Sequence, residues 1–229
     1  MELKEMNRQL QAAKTFTVLA SIITILLLLN CATLVYKFGF GASEYSFFFH
    51  VFNMEYEQNV PTIYSALQLL FAAFLLYGVF KDKLAQNDLF KWHWGLLCLA
   101  FVYLSFDEAI ELHEKSMPYV ERISKTTGPL FYGWIIPASI CVFVMGLFYI
   151  RFLLALPVRS RNLFIISGII YVGSAIGFEM IEGPMEQSGN WMTLPYATLV
   201  TIEETLEMLG IALFCYAVID YENRLKNKA

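Results

Sequence analysis

Charge is what this chain has least of. Only 16% of its 229 residues are charged, against about 25% in a typical soluble domain, which excludes an ordinary soluble fold. Histidine is scarce, at three residues, and neither H-E-x-x-H nor E-x-x-H occurs. Zincin chemistry is therefore excluded, and a ferritin-like di-iron assignment is weakened. The four cysteines (Cys31, Cys98, Cys141 and Cys215) each fall inside an apolar run, with no C-x-x-C. They read as small buried apolar residues and carry no information on redox compartment. No basic cluster points to nucleic acid, so none is expected among the partners. No repeat, low-complexity tract or linker divides the chain, and residues 1–229 read as one transmembrane domain.

What is abundant is hydrophobic length. Apolar residues make up 58% of the chain. Six segments, about 15–36, 61–80, 91–108, 130–155, 162–182 and 195–219, approach the roughly 20 residues that cross a bilayer. The expectation is an all-α, polytopic transmembrane helix bundle in the cell (inner or plasma) membrane, with the lipid bilayer as its partner. The first span lacks an A-x-A-like cleavage site and reads as a retained helix. Residues 1–14 read as an amphipathic or helical extension, with Leu3, Met6 and Leu10 at helical spacing. Pro61 and Pro195 stand at span starts, where a first-turn proline is tolerated. Pro184 is expected to end span five and Pro137 to kink span four.

Lys and Arg set orientation. Segments 1–14, 81–91, 151–161 and the tail hold twelve of them, all on one side of a six-span chain; the other side holds four, Lys37, Lys115, Arg122 and Lys125. Both termini are thus expected in the cytoplasm. The acids run the other way: fourteen of twenty fall on the outer side or in the outer halves of spans. Loop 38–58, long and aromatic, is expected to lie along the outer interface or dip back as a lid. His50, in that loop, and His93, between Trp92 and Trp94 at the cytoplasmic boundary, are expected to be interfacial and metal-free.

The acids gather in three segments. "YLSFDEAIELHEK" (103–115) carries Asp107, Glu108, Glu111, His113 and Glu114. "GFEMIEGPME" (177–186) carries Glu179, Glu182 and Glu186. "TIEETLEMLG" (201–210) carries Glu203, Glu204 and Glu207. The last three lie eight to twelve residues past Pro195, or roughly 12–18 Å along a helix. At that depth an ionised acid costs on the order of 2.5–3.5 kcal/mol even on the mildest scale. Such groups must be protonated, wetted or neutralised by a cation.

On regular helices Glu203 and Glu207 share a face with Glu204 on its flank, and Glu179 shares one with Glu182. On span three Asp107, His113 and Glu114 fall on one arc, with Glu108 pointing elsewhere. Asp107 and His113 would then stand about 9 Å apart along the axis. The expected pattern is two layers of ligands: Asp107, Glu179 and Glu207 deeper, and His113, Glu114, Glu182 and Glu203 shallower. Carboxylates with one histidine suit hard or borderline divalent ions such as Mn, Fe, Mg, Ca or Zn. The candidate metal ligands are Asp107, Glu108, His113, Glu114, Glu179, Glu182, Glu203, Glu204 and Glu207. The candidate proton acceptors are His113 and Glu204. Glu111 is expected as a surface partner of Lys115, and Glu121 and Glu186 as loop charges.

"NVPTIYSALQLL" (59–70), "YLSFDEAIELHE" (103–114) and "IEETLEMLG" (202–210) resemble recurrent segments of an uncharacterised family of multi-pass bacterial membrane proteins. The resemblance implies that Pro61, Thr62, Ser65, Ser105, Asp107, Glu108, His113, Glu114, Glu203, Glu204 and Glu207 form one signature. It brings no activity with it. Ser105 and Asp107 also resemble part of the zinc site of ceramidase-like membrane hydrolases. This chain offers only His113 at that level, and their three-histidine site is not available here.

Three functions remain open on these residues. One is a metal-dependent hydrolase or oxidoreductase acting on a lipid-like or other apolar substrate from an outer pocket that holds one or two divalent ions. Another is a cation or proton transporter using the same acids, and a third is a structural subunit with a fixed ion. The inner halves of the spans are nearly free of acids, which favours a one-sided pocket and hence the first.

Overall fold

The computed structural model describes residues 2–41, 46–123 and 125–226. Among these the regular structure is entirely helical. α1 (Glu2–Leu34) continues through a π-helical turn at Val35–Gly39, so the extension and the first span are one helix. α2 (Phe47–Phe52) is a short helix in the loop between α1 and α3, capped by the Ser46 hydroxyl. α3 (Val60–Ala85) starts at Asn59, whose side chain accepts from the Thr62 amide, with Pro61 in the first turn. α4 (Lys91–Ile110) and α5 (Leu112–Ile123) follow. A short 3₁₀ turn at Gly128–Leu130 precedes α6 (Ile135–Ala155), and α7 (Val158–Gln187) and α8 (Leu194–Lys226) complete the fold.

Among the described residues, five helical segments are long and apolar enough to cross a membrane: Gln9–Gly39, Val60–Ala85, Lys91–Ile110, Ile135–Ala155 and Val158–Gln187. Their outer faces are apolar. α6 exposes Phe143, Leu147 and Leu154, and α3 exposes Ile63, Leu67 and Phe74. In water such a surface would aggregate; in lipid it is solvated. The chain is a multi-pass membrane protein.

The helix at the centre is α8. It packs against α7, α1 and α3, and Met208, Ala212, Cys215 and Ala217 on it are fully buried. Gly210 permits the closest approach: a Cβ there would stand 2.9 Å from the Tyr171 amide nitrogen of α7. Towards the far end the core is aromatic, with Trp94 on Tyr221 and Phe101 on Phe214. That end is closed by Asp220, which is buried and ion-paired to Arg159 at 3.3 Å and Arg224 at 2.8 Å. His93 stacks between Phe148 and Phe152.

Two proline expectations are overturned. Pro184 lies inside α7, which runs on to Gln187; one lost hydrogen bond so near a helix end is tolerable. Pro137 falls in the first turn of α6, where no intrahelical bond is lost, and therefore gives no cause for a kink.

The described part of loop 38–58 is pinned down. The Asn30 side chain donates to Thr201 Oγ1 at 2.8 Å and accepts from the Met54 amide at 2.9 Å. Asn53 Nδ2 donates to Thr33 Oγ1, and Asn59 Nδ2 donates to the Asn53 and Tyr56 carbonyls. Phe49 and Met54 are buried. This segment therefore sits on α1 and the start of α3, which carries Glu55 and Glu57 toward the acids of the spans. Residues 42–45 of the loop lie outside the described residues.

Candidate functional site

Segment 103–115 is not one helix. Glu111 has φ 54° and ψ 49°, the left-handed conformation, and separates α4 from α5. For a residue other than glycine this costs about 1–2 kcal/mol. The compensation comes from Asp107. Its Oδ1 accepts the His113 backbone N–H at 2.8 Å, capping the first turn of α5, and its Oδ2 meets His113 Nδ1 at 3.0 Å. Gln58 Nε2 donates to Glu111 Oε1 at 3.1 Å and steadies the break from the loop side.

The break corrects several expectations. Asp107 and His113 are in direct contact rather than 9 Å apart, and the two levels collapse into one on this element. Glu111 is not the partner of Lys115, whose Nζ turns to the Ile110 carbonyl. Glu186 is not a loop charge. It lies within α7 and accepts from the Tyr132 hydroxyl, and from the Tyr196 hydroxyl at 3.3 Å.

The other candidates fall into three neighbouring groups. In the first, His113 packs its ring on Trp134, 4.8 Å between centroids, and Trp134 Nε1 donates to Glu179 Oε2 at 2.6 Å. The indole thus bridges the Asp107–His113 pair to α7. In the second, the Glu182 and Glu203 carboxyl groups meet across the α7–α8 contact. Both residues are buried, and Glu182 Oε1 has no hydrogen-bond partner among the described residues. In the third, Glu108 lies against Ser65 of α3 and within electrostatic range of Glu204 and Glu207. Glu207 also senses Glu179, which joins this group to the first. Glu114 is exposed on the rim of α5, within electrostatic range of His113 and Glu57.

No Lys or Arg is ion-paired to Glu179, Glu182, Glu203, Glu204 or Glu207 among the described residues. No three His, Cys, Asp or Glu side chains among them are arranged as a coordination shell.

A family model described as Domain of unknown function (DUF8692) matches residues 16–221. The chain belongs to this family. The DUF8692 match takes in all three acidic segments and the loop above them, in agreement with the uncharacterised family that the segments resemble. No curated protein and no solved structure matches the chain.

Two residues of this DUF8692 chain join the site although their sequence context did not mark them. Glu57 of the loop accepts from the Thr62 hydroxyl at 3.3 Å. Desolvation, then the charges of Glu108, Glu114 and Glu111, push its carboxyl up to about 7. Tyr171 of α7 lies within range of Glu207, Glu108, Asp107 and Glu204. The one signal for Glu57 was its place in an acid-bearing loop, "NMEYEQNVP". For Tyr171, a lone phenol in an apolar span, there was none. His113 is half-buried. Burial alone lowers its basicity, but the Asp107 hydrogen bond and charge, then Glu179 and Glu114, reverse this and raise it to about 9.

Proposed function

We propose that α8 is the sixth span, that both termini face the cytoplasm, and that the acids of α4, α7 and α8 form an extracytoplasmic pocket for one or two divalent metal ions. In this reading the protein is a metal-dependent enzyme acting on a lipid-like or other apolar substrate. At 33 residues, α8 is about 50 Å long, enough to cross a bilayer and extend beyond it. The positive-inside bias supports the orientation.

One observation carries the metal reading. Six glutamates from three helices lie within electrostatic range of one another, with no Lys or Arg ion-paired to them and with Glu182 Oε1 buried without a partner among the described residues. A cation would offset the cost of such a cluster, whose oxygen donors suit a hard divalent ion. Glu108, Glu179, Glu204, Glu207 and His113 Nε2 would hold it, with Glu182 and Glu203 as a neighbouring pair. Asp107 spends both oxygens on His113. It is the orienting carboxylate of the carboxylate–histidine–metal arrangement and not itself a ligand. Bound there, the ion would polarise a substrate oxygen or lower the pKa of water. His113 and Glu204 would take up or return the proton. Glutamate has three rotatable bonds, so the side chains would close on the ion as it enters.

The transporter reading needs a polar path to the cytoplasm. The far end of α8 is instead plugged by stacked aromatics and by Asp220, which is neutralised by two arginines. Liposome reconstitution tests the difference. The enzyme reading expects no cation or proton flux through the wild type; flux abolished by Glu204→Gln would replace it with the transporter.

A further inference from the structure

A groove of about 400 Å³ lies between α3 and α4, on the outside of the bundle. Its walls include Leu67, Leu70, Phe106 and Ala109, all exposed. Both helices belong to the membrane-crossing set, so the groove is continuous with the lipid-facing surface. From Thr62 to Leu70 it follows α3 for about 12 Å. Its few polar groups are turned away from the lumen. Ser105 Oγ donates to the Ala66 carbonyl at 2.8 Å, and Thr62 Oγ1 to Glu57 at 3.3 Å or Asn59 at 3.1 Å. Water would find almost no partner here, whereas a hydrocarbon chain would lose nothing.

The outer end of the groove has the opposite character. Gln58 lines it and donates to Glu111, while Thr62 links it to Glu57. Glu108 and Glu114 stand within electrostatic range of Glu57 behind this edge. An apolar slot with an acidic mouth complements an amphiphile with a cationic head. We propose that the α3–α4 groove seats one acyl chain of a lipid whose headgroup carries a primary ammonium group, held at the rim formed by Glu57 and Glu111. This names the substrate class of the pocket proposed above and rests on that reading.

Photo-crosslinking tests it in detergent with chelator present. The probe is a phosphatidylethanolamine with a diazirine on one acyl chain, and an otherwise identical probe with an anionic phosphatidylglycerol head serves as comparison. Crosslinks are expected on peptides 62–70 and 105–109, stronger with the ammonium head. Ala109→Phe and Leu67→Trp, each filling the slot from an exposed position, should lower labelling about tenfold. Glu57→Gln should erase the headgroup preference and leave tail labelling in place. Even labelling across α6 and the other lipid-facing helices would overturn the proposal. So would equal labelling by the two heads, or labelling undiminished in both slot variants. Groove labelling, together with no stoichiometric metal in protein gently purified without chelator, supports the lipid site and overturns only the metal reading.

Discussion

Asp107 grips His113 twice, through the backbone amide at 2.8 Å and the ring Nδ1 at 3.0 Å. An ionised carboxylate is acceptor-only, so Nδ1 carries the proton and Nε2 is the nitrogen turned to other work. A residue usually placed by its own helix is here placed by a side chain six positions back, across a left-handed residue.

The first prediction concerns titration of that pair. In metal-free, chelator-treated protein the His113 imidazole should titrate at about 9. This lies above the ordinary value near 6.5, so the pair contributes stability in full below about 6.5 and loses it as pH rises through about 9. Asp107→Asn should bring the titration back toward the ordinary value. NMR of ring-labelled histidine reads this directly, and a His113 titration unchanged in the variant would show that Asp107 does not hold the ring.

A second prediction tests the α7–α8 contact that sets Glu182 against Glu203. Gly210→Ala would place a Cβ 2.9 Å from the Tyr171 nitrogen and 3.2 Å from the Ser167 carbonyl. The helices must then part, at about 1–3 kcal/mol. Gly177→Ala, with nothing within 4 Å, should be neutral or slightly stabilising. Thermal unfolding of both variants in one detergent makes the comparison.

The third addresses the loop. Asn30→Leu removes the acceptor of the Met54 amide and the donor to Thr201. Leaving such buried partners unmade costs about 1–3 kcal/mol. Hydrogen exchange should quicken across residues 53–59 while α6 stays protected, since Asn30 is one of the bonds that hold the segment carrying Glu57 on α1.

Orientation is the fourth. With the native cysteines replaced, a cysteine at Asn190 in the α7–α8 turn should react with an impermeant maleimide on intact cells. One at Asn87 in the α3–α4 turn should react only after permeabilisation. The reverse pattern would put the acidic pocket on the cytoplasmic side.

Hydrophobic length made the bundle readable from the sequence, because about 20 apolar residues have few other uses. The three acidic segments were readable for the complementary reason, since acids at that depth are costly. The break at Glu111 was not. "AIELHEK" contains neither glycine nor proline and favours continued helix. The αL turn is maintained by bonds from Asp107 and Gln58, which only the folded chain brings together. Pro184 misled in the opposite sense, because a proline near a helix end breaks little, and Glu186 was misassigned with it. Glu57 and Tyr171 depend on how the loop and α7 pack, and nothing local in the sequence encodes that.

The central claim is that the carboxylate–histidine pocket binds a divalent ion. Metal analysis of the gently purified, detergent-solubilised protein tests it most directly. Wild type should carry one or two divalent ions per chain, with the content falling sharply in Glu207→Ala and in His113→Ala while both variants remain folded. Wild type with no stoichiometric metal, or variants that retain the full complement, would contradict it.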